Sequence, residues 1–445
     1  MNETIKFESI HDFKKTFNDS EKHSILLNSV VKNGIQDCCS SRECEVENSF
    51  NFSISINAGE ITNQKKSGRC WMFAALNIMR LEIMKKLNIK NMELSQSYPL
   101  FWDKLEKSNY FLENIISTMT EDIDSRVLSF LLKDPLADGG QWDMFSNIIR
   151  KYGVVPKEAM PESKSSSETE QMNKLLTTKL RGFACELRKE SASGKSINDL
   201  RCQKEKMLNI IYRILCISLG EPPRVFSYET RDEEDKFIRI SNIEPKEFYE
   251  QYIGLDLDQY VSIINAPTAD KPYNQTFTVQ YLGNVKDGNP VLYLNLPSDE
   301  LKKLALKQLK QGECVWFGAD VDKYSNRELG ILAMNAYNYA ELFSTDFPMS
   351  KGERLDYGES LMTHAMVFTG VNIDENGNPD RWQVENSWGK DRGNEGFFVM
   401  SDDWFDQFTY QVVIHKKYLS DEQLKMLKTE AIILSPWDPI GSLAR

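Results

Sequence analysis

The chain has 445 residues, 41% of them hydrophobic and 27% charged, so it can bury a large core; at roughly 100 to 200 residues per domain it should hold two or three lobes. A formal net charge of −12 argues against a surface built to bind phosphate backbones, which makes nucleic acid a poor match as a partner. Eight cysteines (Cys38, Cys39, Cys44, Cys70, Cys185, Cys202, Cys216 and Cys314) show neither disulfide density nor paired CxxC knuckles, and no apolar leader or membrane-length run occurs, so mostly free thiols in a reducing, cytoplasmic setting are expected.

Residues 1–60 read as a helical and extended lead-in. The segment Gln64-Lys-Lys-Ser-Gly-Arg-Cys70-Trp71-Met-Phe-Ala then opens a helical pattern, with Leu76, Met79, Ile83 and Leu87 recurring every three or four positions. Ser67 is the expected N-cap, which sets Cys70 in the first turn. There, unpaired amides and the positive end of the helix dipole should favour the thiolate and lower the Cys70 pKa. Lys65 and Lys66 read as a solvated face.

The stretch Pro161–Glu170 (PESKSSSETE) is expected to be a polar loop, and residues 172–219, split by SASGKS, a helical hairpin. After Pro222 and Pro223 the pattern turns β-rich, with TFTVQYL (276–282), NPVLYLNL (289–296) and ECVWFGADV (313–321) as strand candidates. Cys38, Cys39 and Cys44 lack a fourth ligand at a sensible spacing, so no metal site is expected.

A helix-start cysteine needs a base, and the histidines are His11, His23, His364 and His415. Only His364 opens an apolar strand, followed by the turn Asp374-Glu-Asn-Gly-Asn378 and a returning strand that ends at Asn386-Ser-Trp388-Gly389. His364 and Asn386 lie eleven positions either side of Glu375, so antiparallel pairing should bring them nearly opposite on one face. An Asn beside an imidazole holds its tautomer and orientation. Gln64, six residues before Cys70, offers a side-chain N–H that can join the Cys70 amide in an oxyanion hole. Taken singly, Cys70 is a buried helix cysteine and His364 a satisfied core histidine; the constellation reverses both assignments. Trp388 serves as core packing, as a lid over the His364–Asn386 bond, or as both.

These residues carry a family resemblance. Gln64, Cys70-Trp71, His364 and Asn386-Ser387-Trp388-Gly389 resemble the papain-type cysteine peptidases, and the run Asp138-Gly-Gly-Gln-Trp-Asp-Met144 with the ending Ser435-Pro-Trp-Asp-Pro-Ile-Gly-Ser-Leu-Ala-Arg445 narrows the likeness to the bleomycin hydrolase and aminopeptidase C branch. Ser67 stands where the papain signature has a cysteine, which suits a reducing compartment. The resemblance implies an α+β, papain-like fold with a helical lobe and a β-barrel-like lobe. It also implies Cys70 as nucleophile, His364 as base and acid, Asn386 as orienter and Gln64 as oxyanion donor, with no metal or organic cofactor.

On this basis the chain divides into an N-terminal extension (1–60), a helical lobe with the Cys helix (61–170), a helical insertion for oligomerisation (171–222), a β-rich lobe (223–435) and a C-terminal arm in the cleft (436–445). Insertions of this kind build a homohexameric ring in the branch. The arm is expected to be extended and anchored by Trp437, Ile440 and Leu443. It should lie along Gly139 and Gly140, with Ala444 or Arg445 as its working end and Arg445 removable by self-processing. Peptides with a free N-terminus are the implied substrates, with Gly139, Gly140, Trp388 and Ala444 as substrate-binding positions. The rival readings are an endopeptidase on the same fold and a ring-forming binding protein with idle chemistry.

Overall fold

The computed structural model describes residues 3–444. Helices at Phe7–Asn18, Glu21–Asn33, Ile35–Cys39 and Arg42–Glu47 lead in, and the short strand Ile54–Ser55 then joins the main sheet against the His364–Ile373 strand. The Cys70–Leu87 helix follows. It is buried continuously from Cys70 to Asn77, as expected of a helix that is apolar nearly all round and runs through the interior. It stops at Asn88, which takes the left-handed conformation at φ 50°.

The Trp142–Tyr152 helix packs against it, the Ser97–Ser117 helix packs on that one, and a long hairpin, Glu170–Ala192 and Ile197–Leu219, packs on the Ser97–Ser117 helix. The hairpin forms because each arm carries one apolar stripe: Met172, Leu176, Leu180, Phe183 and Leu187 on the first, Leu200, Met207, Ile211, Leu215 and Leu219 on the second. Ser196 and Asp199 form a capping box that starts the second arm. The stretch expected as a polar loop contains one helical turn, Lys164–Ser167, because Ser163 and Ser166 cap each other's backbone.

The second half is built on one sheet. Its centre runs Tyr260–Ile264, Thr409–His415, Val315–Ala319, His364–Ile373, Pro379–Glu385 and Phe397–Ser401, with each neighbouring pair antiparallel. Tyr293–Asn295, Gln275–Val279 and Ile432–Leu434 extend one edge. Each of the three strand candidates thus contains a strand, made by the leading residues of 276–282, the later residues of 289–296 and the centre of 313–321. One core lies between the Cys helix, the surrounding helices and the inner face of the sheet, and a second fills the other face around Phe317, Phe368, Trp382 and Phe405. The first core is where the two halves meet, and it holds the Cys70 end of its helix against the His364 strand.

Candidate active site

Cys70 is the first residue of its helix, and the N-cap is Arg69 rather than Ser67. Ser67 is engaged elsewhere: its hydroxyl donates to the Gln64 carbonyl at 2.6 Å and accepts from Arg69 Nε at 2.8 Å. Arg69 is itself fully buried and forks onto Glu162 with bonds of 2.9 and 2.8 Å. The loop before Cys70 is therefore braced from beneath by a guanidinium–carboxylate pair.

The Cys70 sulfur is fully buried and accepts a hydrogen bond from the Ala365 amide at 3.4 Å. Burial pushes its thiol up to about 12, while the amides of Ala365, Trp71 and Cys70 pull the other way. The expected lowering by the helix start is thus present but outweighed, because helix dipoles act on a group that desolvation penalises more strongly.

His364 Nε2 and Asn386 Oδ1 are 2.9 Å apart. The strands that carry them pair antiparallel, but not about Glu375: the ladder begins at Val367↔Glu385 and is centred on Asn376 at both ends, its two irregularities cancelling. His364 itself pairs along the backbone with Ala319 on the opposite neighbour, and Asn386 lies one residue past the ladder, where its side chain turns back to the ring. The Trp388 ring sits 4.8 Å from the imidazole at 36°, and Arg327 stacks over that indole at 5.0 Å. Trp388 is therefore both packed and placed beside the His364–Asn386 bond.

Gln64 is oriented from two sides. The Ser387 hydroxyl donates to its Oε1 at 2.6 Å, which points Nε2 toward the loop before Cys70, where it donates to the Ser67 carbonyl at 2.7 Å. The backbones are tied as well, Gln64 N–H to the Ser387 carbonyl at 2.8 Å.

Gly139 and Gly140 border this loop, and the reason for a glycine at 140 is packing: an added Cβ would lie 2.6 Å from the Trp71 ring. Lys107 donates to the Gly139 carbonyl at 2.7 Å and to the Ala137 carbonyl at 2.8 Å. Asp138 receives Lys104 at 2.6 Å, the Gly68 amide at 3.1 Å, Asn173 at 2.7 Å and the Thr169 hydroxyl. Burial alone would raise its carboxyl, but the Lys104 charge and these hydrogen bonds hold it well below the usual carboxylate range.

The arm reaches the same place. The Gly140 amide donates to the Ala444 carbonyl at 3.1 Å, Gln141 Nε2 donates to the Ser442 carbonyl at 2.7 Å, and Ala444 is fully buried. Ile440 and Leu443 pack on the core, and Pro439–Gly441 forms one tight turn within the extended run. Trp437 differs from its expected role as a buried anchor: it is 38% exposed, with the Arg126 guanidinium 3.7 Å above its ring. Beside the arm is a cavity of about 570 Å³ lined by Lys107, Tyr110, Phe130, Tyr281, Thr363 and Trp437. Arg445 lies outside the described residues.

Several site residues escaped sequence reasoning. Asp138 stood in a noticed run without a role, and Arg69, Glu162, Lys104 and Lys107 gave no periodic or motif signal. The same holds for Arg80, whose guanidinium on the Cys helix meets Glu385 at 2.8 Å with both side chains 1% exposed, while Asn77 donates to the same oxygen at 2.8 Å. Burial raises Glu385 to about 7, against the pull of Arg80. This contact fastens the Cys70 helix to the residue next to Asn386. All eight cysteines are unpaired thiols, no group of three or more His, Cys, Asp or Glu fit to hold a metal occurs among the described residues, and no helix there is long and apolar enough to cross a membrane.

Residues 4–441 match the Peptidase C1-like family. Over 444 residues the chain is 49% identical to aminopeptidase C of Listeria monocytogenes, covering all of both chains. It is 41% identical to human bleomycin hydrolase, with 99% of each chain covered. The crystal structure of PepW from Lactobacillus rhamnosis HN001 superposes with a TM-score of 0.98 at 50% identity, again over the full length of both. The chain therefore belongs to the Peptidase C1-like family, with a papain-like α+β fold, and is a cysteine-type aminopeptidase related to aminopeptidase C and bleomycin hydrolase.

Proposed function

We propose that the chain removes N-terminal residues from peptides through an acyl-enzyme formed on Cys70. With His364 Nε2 engaged by Asn386, ring nitrogen Nδ1 takes the Cys70 proton as the sulfur attacks the first peptide carbonyl. Burial favours the thiol over the thiolate, so transfer of the proton to His364 completes the nucleophile. The oxyanion is received by the Cys70 amide and by the second hydrogen of Gln64 Nε2, whose orientation Ser387 sets; such donors contribute roughly 3 to 4 kcal/mol each. The imidazolium then protonates the departing amine as the C–N bond breaks. Water, giving its proton to the same nitrogen, attacks the thioester and releases the amino acid.

The observation that carries the exopeptidase reading is the Gly140–Ala444 hydrogen bond, which lays the arm along the cleft wall beside Trp71. In this reading Gly139, Gly140 and Trp388 border the bound substrate, the arm fills the side where a longer chain would continue, and its end meets the substrate's α-amino group. Comparing aminoacyl with N-acetylaminoacyl fluorogenic amides tests this on the full chain and on a version ending at Gly441. The full chain should cleave only the free amine and the shortened one should gain the blocked substrate; equal cleavage of both by the full chain would sink the reading.

We also propose a homohexamer in the cytosol. Phe7, Ile10, Phe13 and Phe17 recur along one helix and are exposed, which supports burial against another copy. The unpaired thiols accord with a reducing compartment. A solution mass of one protomer would remove the oligomer, and recovery in an extracytoplasmic fraction would remove the location.

A further inference from the structure

Near its base the arm makes a buried ionic contact, beside the Arg126 guanidinium that covers Trp437. Lys271 Nζ meets Asp438 Oδ2 at 3.0 Å, and the two side chains are 2% and 9% exposed. Lys271 also bonds Asp270 at 2.9 Å, on the solvent side. The loop that presents Lys271 is rigid. Asn295, itself fully buried, accepts from the Ala266 amide at 2.9 Å and donates to the carbonyls of Ala266 at 3.0 Å and Lys271 at 2.7 Å. On the arm, Asp438 Oδ1 accepts the Ile440 amide at 3.0 Å and so starts the Pro439–Gly441 turn, whose last residue packs against Val279.

Beyond that turn, the hydrogen bonds that hold the arm in the cleft go to main-chain carbonyls, those of Ser442 and Ala444. A carbonyl recurs at every residue, roughly every 3.3 Å along an extended chain, so these bonds hold the arm without specifying which residue lies where. The buried ion pair does specify it, because Asp438 carries the one side-chain carboxylate of the arm. A slip of one residue would move the chain end by about one peptide unit, opening room for an extra substrate residue or closing the site.

We infer that the Lys271–Asp438 pair is a positioning clamp that sets the register of the arm, and thereby restricts cleavage to substrates with a free N-terminus. This rests on the reading above that the arm blocks the cleft. Lys271→Met leaves the buried Asp438 carboxylate without its cation, and Asp438→Asn leaves Lys271 to Asp270 alone on the solvent side, so either change releases the arm from its register.

The test uses the full chain and compares kcat/KM for N-acetylaminoacyl and aminoacyl fluorogenic amides. Lys271→Met and Asp438→Asn should each raise the blocked-to-free ratio by about tenfold or more, the scale set by unpairing a buried charge. The exchanged double variant, Lys271→Asp with Asp438→Lys, should return the ratio toward the wild-type value, since the relocated lysine still faces Asp270. Asp438→Asn keeps the side-chain shape, so it serves if Lys271→Met does not fold. If the folded single variants keep the wild-type ratio while the chain ending at Gly441 gains blocked-substrate cleavage, the clamp is overturned and the arm reading stands. If the singles raise the ratio but the exchange does not lower it, the two residues do not act as a pair. If the Gly441 version gains nothing, the clamp and the arm reading fail together.

Discussion

The loop before Cys70 and the arm that ends beside it touch the same wall of the cleft, but they are held in different ways. The loop rests on buried, mutually bonded groups: Arg69 on Glu162, Asp138 on the Gly68 amide, and Gln64 between Ser67 and Ser387. The arm rests on one buried ion pair, two hydrogen bonds to its carbonyls and partly buried Ile440 and Leu443. Reacting atoms need placement to a fraction of an ångström, which a dense network supplies. A blocking segment needs only to occupy space at the right register. Damage to the loop should therefore change how fast the protein works, and damage to the arm should change what it accepts.

The largest effect tests the chemical side. Cys70→Ala and His364→Ala should each lower kcat/KM on free-amine substrates by on the order of 10⁴-fold or more, with little further loss when combined. Intact mass of the Cys70→Ala protein should also retain Arg445, if that residue is lost by self-processing in the wild type. Residual turnover within about tenfold of wild type would show that the thiol is not the nucleophile.

A smaller effect probes the loop's foundation. Arg69→Met leaves Glu162 without its guanidinium, and breaking a buried pair of this kind costs about 3 to 5 kcal/mol, at the lower end here because Glu162 is partly exposed. Urea unfolding should show that loss, and activity on free amines should fall without any gain on blocked ones. A gain on blocked substrates would mean that loop and arm are not separable.

The smallest effect is a pH-dependent one. Asp138 has its folded pKa held below the ordinary value near 3.9, so it adds stability at pH above that value and loses it as pH falls through the folded pKa. Between neutral pH and about pH 5 the contribution is flat; below about pH 4 it declines. Asp138→Asn should be less stable than wild type at neutral pH, and the gap should close on acidification. Denaturant midpoints followed from pH 7 to pH 3 check this, and a gap that widens in acid would reverse the assignment.

Much of the site could be read from local pattern. The Cys helix and both arms of the 170–219 hairpin follow from apolar residues at helical spacing, and the His364 and Asn386 strands from a turn between two apolar runs. The misses have physical causes. Ser67 has the chemistry of an N-cap, but its hydroxyl is taken by Gln64 and Arg69, so the cap falls to Arg69. Symmetry about Glu375 puts His364 opposite Asn386, yet the turn centres the ladder on Asn376 at both of its ends, which offsets the two residues along the strands. Trp437 has the bulk of an anchor but finds a cation over its face instead of a pocket.

By itself the sequence determined which chemical groups are present and which lie on helix or strand, since both depend on spacing within a few turns of chain. Only the tertiary structure decided their state and their reach. Cys70 carries a raised pKa because packing removes water from it, and proton affinity responds to that desolvation more than to the helix start. Lys271 and Asp438 are far apart in the chain and ordinary in composition; they become a clamp only where folding brings them together and buries them, and no local pattern encodes that meeting.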